Sequence, residues 1–76
     1  MTNEGAHELA NAIIVQACKD YRSALKKLKR NPRHSESQRT KGSCERFFRS
    51  EWFEVLSDLD GEALISMIRK DVDYDS

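Results

Sequence analysis

The stretch that decides the fold is residues 6–30, which read AHELANAIIVQACKDYRSALKKLKR. It contains neither Pro nor Gly, and residues with good helix propensity dominate it. At about 100° per residue, one stripe of a helix collects the apolar side chains Ala10, Ile14, Ala17, Cys18, Tyr21, Leu25 and Leu28. Asn31-Pro32 ends the pattern, because a proline disfavours helical geometry in the residue before it. The sequence therefore predicts an amphipathic helix over about residues 6–30.

The next segment, residues 31–43 (NPRHSESQRTKGS), carries no apolar side chain. Such a stretch is typical of a loop, and Gly42 would weaken a helix by about 1 kcal/mol relative to Ala. Ser35 and Gln38 fit a capping box, which leaves open a short helix that starts there and runs into the next element. We predict a polar loop over 31–43, with that helix as the alternative.

A second apolar block spans residues 44–59. Helical spacing relates its large side chains and predicts a second helix with the core face Cys44, Phe47, Phe48, Trp52, Val55 and Leu56. Ser50 marks a bend or a restart, since serine favours helix caps over helix interiors.

The last helix is predicted over roughly 61–71. Asp60 suits its N-cap, and Glu62 lies in its first turn. Its predicted core face is Leu64, Ile65, Met67, Ile68 and Val72. Residues 72–76 are predicted to be a frayed acidic tail.

These elements predict an all-α fold, a small three-helix bundle with a short fourth helix or a bend near residue 50. A chain of 76 residues has room for one domain, here 1–76 with a core over about 6–71. Three Gly and one Pro are too few for the many turns of a barrel or a sandwich. The centre of the core is predicted to be Phe47, Phe48, Trp52 and Phe53.

The net charge of zero conceals a partition along the chain. Residues 19–49 hold eleven Lys and Arg against three acids, a net of +8, and residues 50–76 have a net of −6. On the first helix, five of the bases fall within an arc of about 100°, namely Lys19, Lys26, Arg22, Lys29 and Arg30. Arg33 continues the positive charge into the loop, and Arg46 and Arg49 extend it onto the second helix. Such a face could contact a phosphate backbone, although bases also collect at helix C-termini and on ordinary solvated faces.

Most kinds of active site have no motif in this sequence. His7, His34, Cys18 and Cys44 make no ligand pair at zinc spacing, and no nucleophile elbow, phosphate loop or dinucleotide fingerprint occurs. We expect no catalytic residue, no metal and no cofactor, and hence no enzyme.

The longest apolar run, residues 12–15, is far short of the roughly 20 residues that span a bilayer, and no secretion signal is visible. We therefore expect a cytoplasmic protein with two reduced thiols and no membrane contact.

The block Arg46-Phe47-Phe48-Arg49-Ser50-Glu51-Trp52-Phe53 is the most unusual stretch. Four aromatics in seven residues are most simply the core of a small bundle. Phe47 and Phe53 lie on opposite flanks of the predicted stripe, so one of them could be exposed, and an exposed Phe53 beside Arg46 or Arg49 would be an anchor for a protein partner.

The same block carries a resemblance. Extended by Glu45 at its start and by Leu56 after it, and together with Asn11-Ala12-Ile13-Ile14, residues 19–26 (KDYRSALK), Asn31-Pro32 and residues 60–65 (DGEALI), it resembles a group of short, uncharacterised proteins encoded by phages and prophages of Gram-positive bacteria. The likeness covers roughly residues 10–70. It implies a phage or mobile-element origin and a cytoplasmic setting in the host cell, but no activity and no ligand set. Small phage proteins of this kind are often inhibitors or regulators of host machinery, anti-CRISPR proteins among them.

Two functions therefore compete. The first is a non-enzymatic protein that binds a host protein or complex. The alternative is an accessory nucleic-acid-binding protein that uses the basic face of the first helix. The predicted contact residues for either are Lys19, Arg22, Lys26, Lys29, Arg30, Arg33, Arg46, Arg49 and Phe53. A homodimer through the first helix is a further expectation, since Leu9 and Ile13 broaden its apolar stripe and Val15 lies inside its basic arc.

Overall fold

The computed structural model describes residues 4–74, with side chains from residue 11 onward. This part of the chain forms four helices and no strand: α1 (Glu4–Arg30), α2 (Ser35–Arg49), α3 (Glu51–Leu56) and α4 (Gly61–Val72). The prediction of an all-α bundle with a short extra helix near residue 50 is confirmed. The side chains of residues 6–10, where the predicted core begins, lie outside the described part, as do residues 75–76 of the predicted tail.

The predicted loop over 31–43 is wrong for residues 35–43. Only a tight turn separates the first two helices, and α2 continues without a break through Gly42. Its N-cap is His34, whose Nδ1 accepts a 3.1 Å hydrogen bond from the backbone N–H of Ser37. The alternative of a helix from Ser35 was therefore correct, although the cap lies one residue earlier than the capping box predicted.

The helix forms here without apolar residues because some of its polar side chains are buried in the bundle. Ser37 is buried at 3% exposure, and one turn later Lys41 is half-buried. Packing against a neighbouring helix supplies most helical stability in proteins, so it outweighs the cost of about 1 kcal/mol for Gly42.

Ser50 divides the second apolar block into two helices, as predicted. Its hydroxyl donates to the Phe47 carbonyl oxygen at 2.7 Å and accepts from the Phe53 backbone N–H at 3.2 Å. The same side chain therefore ends α2 and begins α3. Because the chain changes direction here, the helical register of α2 does not continue into α3.

This change of register corrects two predicted core positions, Trp52 and Val55. Phe53 is fully buried, whereas Trp52 is 55% exposed and Val55 is 81% exposed. A single helical stripe from Phe48 through Trp52 ignores the break at Ser50 and so selects the wrong side of α3. Met67 is also exposed, because it lies about 100° around α4 from Ile68, which is buried.

The core that results joins α1, α2, α3 and α4. Its largest fully buried side chains are Tyr21, Leu25, Phe48 and Phe53. The ring of Phe48 meets those of Tyr21 and Phe53 edge-on, with centroids 5.9 Å and 5.6 Å away. Such edge-to-face pairs add to the stability that apolar burial provides.

Helix α4 starts where the sequence predicted. The Asp60 carboxylate caps it, accepting a 3.0 Å hydrogen bond from the Glu62 backbone N–H. Gly61 lies so close to α2 that a β-carbon there would be 2.8 Å from the Phe48 carbonyl carbon and closer still to its oxygen. A residue without a side chain is therefore what allows the two helices to meet at this point.

The C-terminal segment is more ordered than predicted. Val72 is buried, and Asp73 adopts a left-handed conformation that ends α4. The next backbone N–H, of Tyr74, donates to the Arg69 carbonyl oxygen at 2.9 Å, as in a Schellman cap. The prediction of a frayed tail is wrong for residues 72–74.

Candidate binding surfaces

A polar cluster built around Glu45 links three helices. Its Oε2 accepts hydrogen bonds from the Tyr21 hydroxyl of α1 at 2.7 Å and from Arg69 of α4 at 3.0 Å. Lys41, one turn earlier on α2, forms an ion pair with the same oxygen at 3.2 Å. The Arg69 guanidinium in turn lies 5.0 Å from the centre of the Tyr74 ring. No local pattern in the sequence indicates this cluster, since its members are far apart in the chain; Tyr21 and Arg69 are separated by 48 residues.

The electrostatics of the cluster favour one protonation state. Burial raises the pKa of Glu45, but the hydrogen bonds from Tyr21 and Lys41 and the charges of Lys41 and Arg69 outweigh it and lower the pKa overall. Burial, together with the hydrogen bond to Glu45, raises the pKa of Tyr21 far above its usual range. A neutral phenol therefore donates to a carboxylate, and the cluster has a structural role in joining α1, α2 and α4.

An apolar groove of about 470 Å³ runs between α1, α2 and α3. We call it the Trp52 groove; its lining residues are Ala12, Ile13, Gln16, Ala17, Asp20, Ser43, Cys44, Phe47 and Trp52. Its buried or half-buried lining residues are Ile13 and Ala17 of α1 and Cys44 and Phe47 of α2. An apolar groove between helices can accept the apolar face of another helix.

Trp52 forms one wall of this groove. Its ring packs edge-on against Phe47, with centroids 5.7 Å apart, yet 55% of the residue remains exposed. Tryptophan is among the residues most enriched at binding hot spots. The sequence predicted an exposed aromatic anchor in this block but placed it at Phe53, which is buried. The structure puts it one residue earlier, for the reason of register given above.

The thiols near this groove are not activated. Burial, with a smaller contribution from Asp20, raises the pKa of Cys44 to about 11, and its Sγ donates to the Ala17 carbonyl oxygen at 3.6 Å. Burial also raises the pKa of Cys18, although Arg22 opposes this. Both cysteines are free. A nucleophilic cysteine needs the opposite shift.

Three of the predicted contact bases have partners within the bundle. Arg22 pairs with Asp71 of α4 at 3.0 Å, and Arg49 binds Glu62 through both Nε and a terminal nitrogen. The Lys29 ammonium donates to the Val72 carbonyl oxygen at 3.0 Å and so caps the end of α4. These side chains hold helices together, which the charge pattern of the sequence could not reveal.

The remaining predicted bases form no ion pair with any carboxylate in residues 11–74: Lys19, Lys26, Arg30, Arg33 and Arg46. All are exposed. Lys19, Lys26 and Arg30 fall within an arc of about 40° on α1, directly opposite its buried stripe. Arg46 lies on the outer face of α2, about 160° from Phe48. The structure thus brings the α1 bases together and leaves Arg46 on a different helix face.

The homodimer through α1 stays a prediction. Ile13 is half-buried and Val15 is 49% exposed, while the side chain of Leu9 is outside the described part.

Among the described residues no His, Cys, Asp and Glu side chains gather into a group that could hold a metal. Within the same limits, none of the helices combines the length and the apolar character needed to cross a membrane.

No protein-family model matches the chain, and neither the curated proteins nor the solved structures include a significant match. The class that the described residues define is a small all-α bundle of four helices. Two unpartnered surfaces distinguish it, the Trp52 groove and the outer basic face of α1.

Proposed function

We propose that this chain is a small non-enzymatic binding protein of phage or mobile-element origin that acts as an inhibitor or regulator of a host protein or complex. The observation that carries the proposal is Trp52, the single tryptophan of the chain, which is 55% exposed at the wall of an apolar groove. A large aromatic left in water is an energetic cost to the free protein, and a partner that covers it removes that cost.

The apolar lining of the groove favours the apolar face of a helix as the bound element. Its buried or half-buried lining residues are Ile13 and Ala17 of α1 and Cys44 and Phe47 of α2, and Trp52 packs against Phe47. An amphipathic helix would place an apolar side chain against this lining at every third or fourth position. Asp20 at one end accepts a 2.9 Å hydrogen bond from Gln16 and adds a polar contact at the rim.

The test is a comparison of captured proteins between two matched variants. Immobilised wild type, Trp52→Ala and Val55→Ala would each be incubated with extract of a Gram-positive host at moderate salt. Val55 is the control because it belongs to the same helix, is 81% exposed and does not line the groove. We expect a stoichiometric partner on the wild type and on Val55→Ala, and its loss on Trp52→Ala.

The identified partner would then be titrated in purified form. Truncation of a hot-spot tryptophan costs about 2 kcal/mol or more, so the dissociation constant should rise at least about thirtyfold for Trp52→Ala and stay within about twofold for Val55→Ala. A host protein retained equally by all three columns, or no stoichiometric partner at all, would contradict the proposal.

A further inference from the structure

We infer that the outer face of α1 is a second binding surface, separate from the Trp52 groove, and that it contacts the phosphate backbone of duplex nucleic acid. The surface consists of Lys19, Lys26, Lys27 and Arg30 on α1, and we call it the α1 basic face. Arg33 in the following turn continues it.

The first argument is the selective pairing of charge within the bundle. Acids lie beside Arg22, Lys41 and Arg49 and neutralise them. No acid lies within ion-pair distance of the α1 basic face among residues 11–74. Clustered like charges repel one another and lower stability, and no carboxylate in the described part of the chain offsets these four bases.

The helix dipole explains only part of this cluster. Bases in the last turn of a helix interact favourably with its C-terminal carbonyls, which accounts for Lys27 and Arg30. The effect falls off within that last turn. Lys19 lies three turns before the end of α1 and Lys26 lies just over one turn before it, so neither is explained in this way.

The second argument is geometry. From Lys19 to Arg30 the face extends roughly 16 Å along a straight helix, which equals about five base-pair steps of 3.4 Å. Near its C-terminal half, a cleft of about 530 Å³ between α1 and the end of α4 adds the hydroxyl of Ser23 to the lysines. Its one acid, Asp71, is already paired with Arg22.

The choice of a duplex follows from what the face lacks. Proteins that bind single strands combine bases with aromatic rings on which nucleobases stack. The exposed side of α1 from Ala12 to Arg30 carries no aromatic residue, and Trp52 belongs to the groove. Contacts to phosphates alone give affinity without sequence preference.

The test is an anisotropy titration with a labelled 20-base-pair DNA duplex of arbitrary sequence at 50 and 200 mM salt. Three or four phosphate contacts give a slope of log K against log salt of about −2.7 to −3.6. The affinity should therefore fall roughly 40- to 150-fold between the two conditions. A single strand of the same length and vesicles containing anionic lipid are tested in parallel.

Two double variants distinguish binding by the α1 basic face from a general effect of positive charge. Lys19→Gln with Lys26→Gln removes two exposed bases seven residues apart on α1. Arg39→Gln with Arg46→Gln removes two exposed bases at the same spacing on α2, which also lack an ion pair with a described carboxylate. We expect the α1 pair to weaken duplex binding at least about tenfold at 50 mM salt and to reduce the salt slope by about two, and the α2 pair to change affinity by about twofold or less.

Four results would overturn the inference: no duplex binding at 50 mM salt, an affinity indifferent to salt, equal losses from the two double variants, or a preference for the single strand or the vesicles. The outcome is independent of the proposed groove, because neither double variant alters a residue that lines it. Duplex binding by Trp52→Ala at wild-type affinity would further separate the two surfaces.

Discussion

The hydroxyl of Tyr21 on α1 donates a 2.7 Å hydrogen bond to the carboxylate of Glu45 on α2. The same carboxylate oxygen accepts from Arg69 on α4, so one atom joins three helices. Glu45 retains only 15% side-chain exposure, and a partly buried ionic hydrogen bond of this kind is worth more than a pair on the surface.

Glu45→Gln should lower the free energy of unfolding by about 1–3 kcal/mol at pH 7, because Lys41 and Arg69 then lose their charged partner. The effect should depend on pH. Since the pKa of Glu45 is lower in the folded chain than its ordinary value of 4.5, the cluster stabilises the fold above that value and loses this contribution as the pH falls through the lowered pKa. Urea unfolding of wild type and variant between pH 7 and pH 3 measures this.

The control for this measurement is Glu54→Gln, an exposed carboxylate on α3 without an ion pair to any described residue. Its stability difference from wild type should stay within about 0.5 kcal/mol. The role given to Glu45 is wrong if the gap between wild type and Glu45→Gln does not narrow toward pH 3.

Alanine substitutions at Gly61 and Gly42 should change the free energy of unfolding in opposite directions. Gly61→Ala places a β-carbon against the Phe48 carbonyl group, which must shift, and we expect a loss of about 1–3 kcal/mol or more. Gly42→Ala meets no atom within 4 Å inside α2 and should stabilise the protein by about 0.5–1 kcal/mol. Thermal or urea unfolding of the two variants decides the matter, and a gain from both would show that α4 does not approach α2 this closely.

Alanine substitutions at the adjacent aromatics of α3, Trp52 and Phe53, should lower the free energy of unfolding by different amounts. Phe53→Ala opens a cavity at a fully buried position and should cost about 3–5 kcal/mol. Trp52→Ala removes a ring that is mostly in water and should cost about 1 kcal/mol or less, the value of one edge-to-face contact with Phe47. Equal losses in urea unfolding would contradict the placement of the two side chains.

The two thiols should react at different rates with a disulfide reagent. Cys18 is half-buried, whereas Cys44 is 7% exposed and burial raises its pKa to about 11. Because the thiolate is the reactive form, native protein at pH 8 should show one faster and one much slower thiol, and Cys18→Ser should leave only the slow one. Unfolded protein should react rapidly at both sites; a fast thiol in native Cys18→Ser would overturn this assignment.

The sequence predicts those features of the fold that depend on residues close together in the chain. Helix α1, the break at Ser50 and the Asp60 cap were predicted, because apolar period, cap chemistry and proline act within a few residues. The sequence indicates the first half of α2 only as an alternative, since the burial of Ser37 depends on packing within the folded bundle. The sequence wrongly predicts Trp52 in the core because a helical stripe continued across Ser50 includes it.

The site was less predictable than the fold for the same reason. The charge count found the basic segment, but it could not separate Arg22, which binds Asp71, from Lys26, which has no such partner. That distinction depends on which helices lie side by side. The sequence assigns Glu45 no role in the site, because nothing in its local surroundings distinguishes it from an ordinary surface glutamate.

The helix that carries Trp52 has few attachments. It is six residues long, Ser50 caps its start, and Phe53 is its one buried side chain. Short elements with few buried contacts open without global unfolding, so backbone amides of α3 should exchange their hydrogens with solvent sooner than those of α1 around Tyr21. Trp52 would then move away from α1 and α2 at a free-energy cost well below that of unfolding the bundle, and a guest helix wider than the resting groove would still be accommodated.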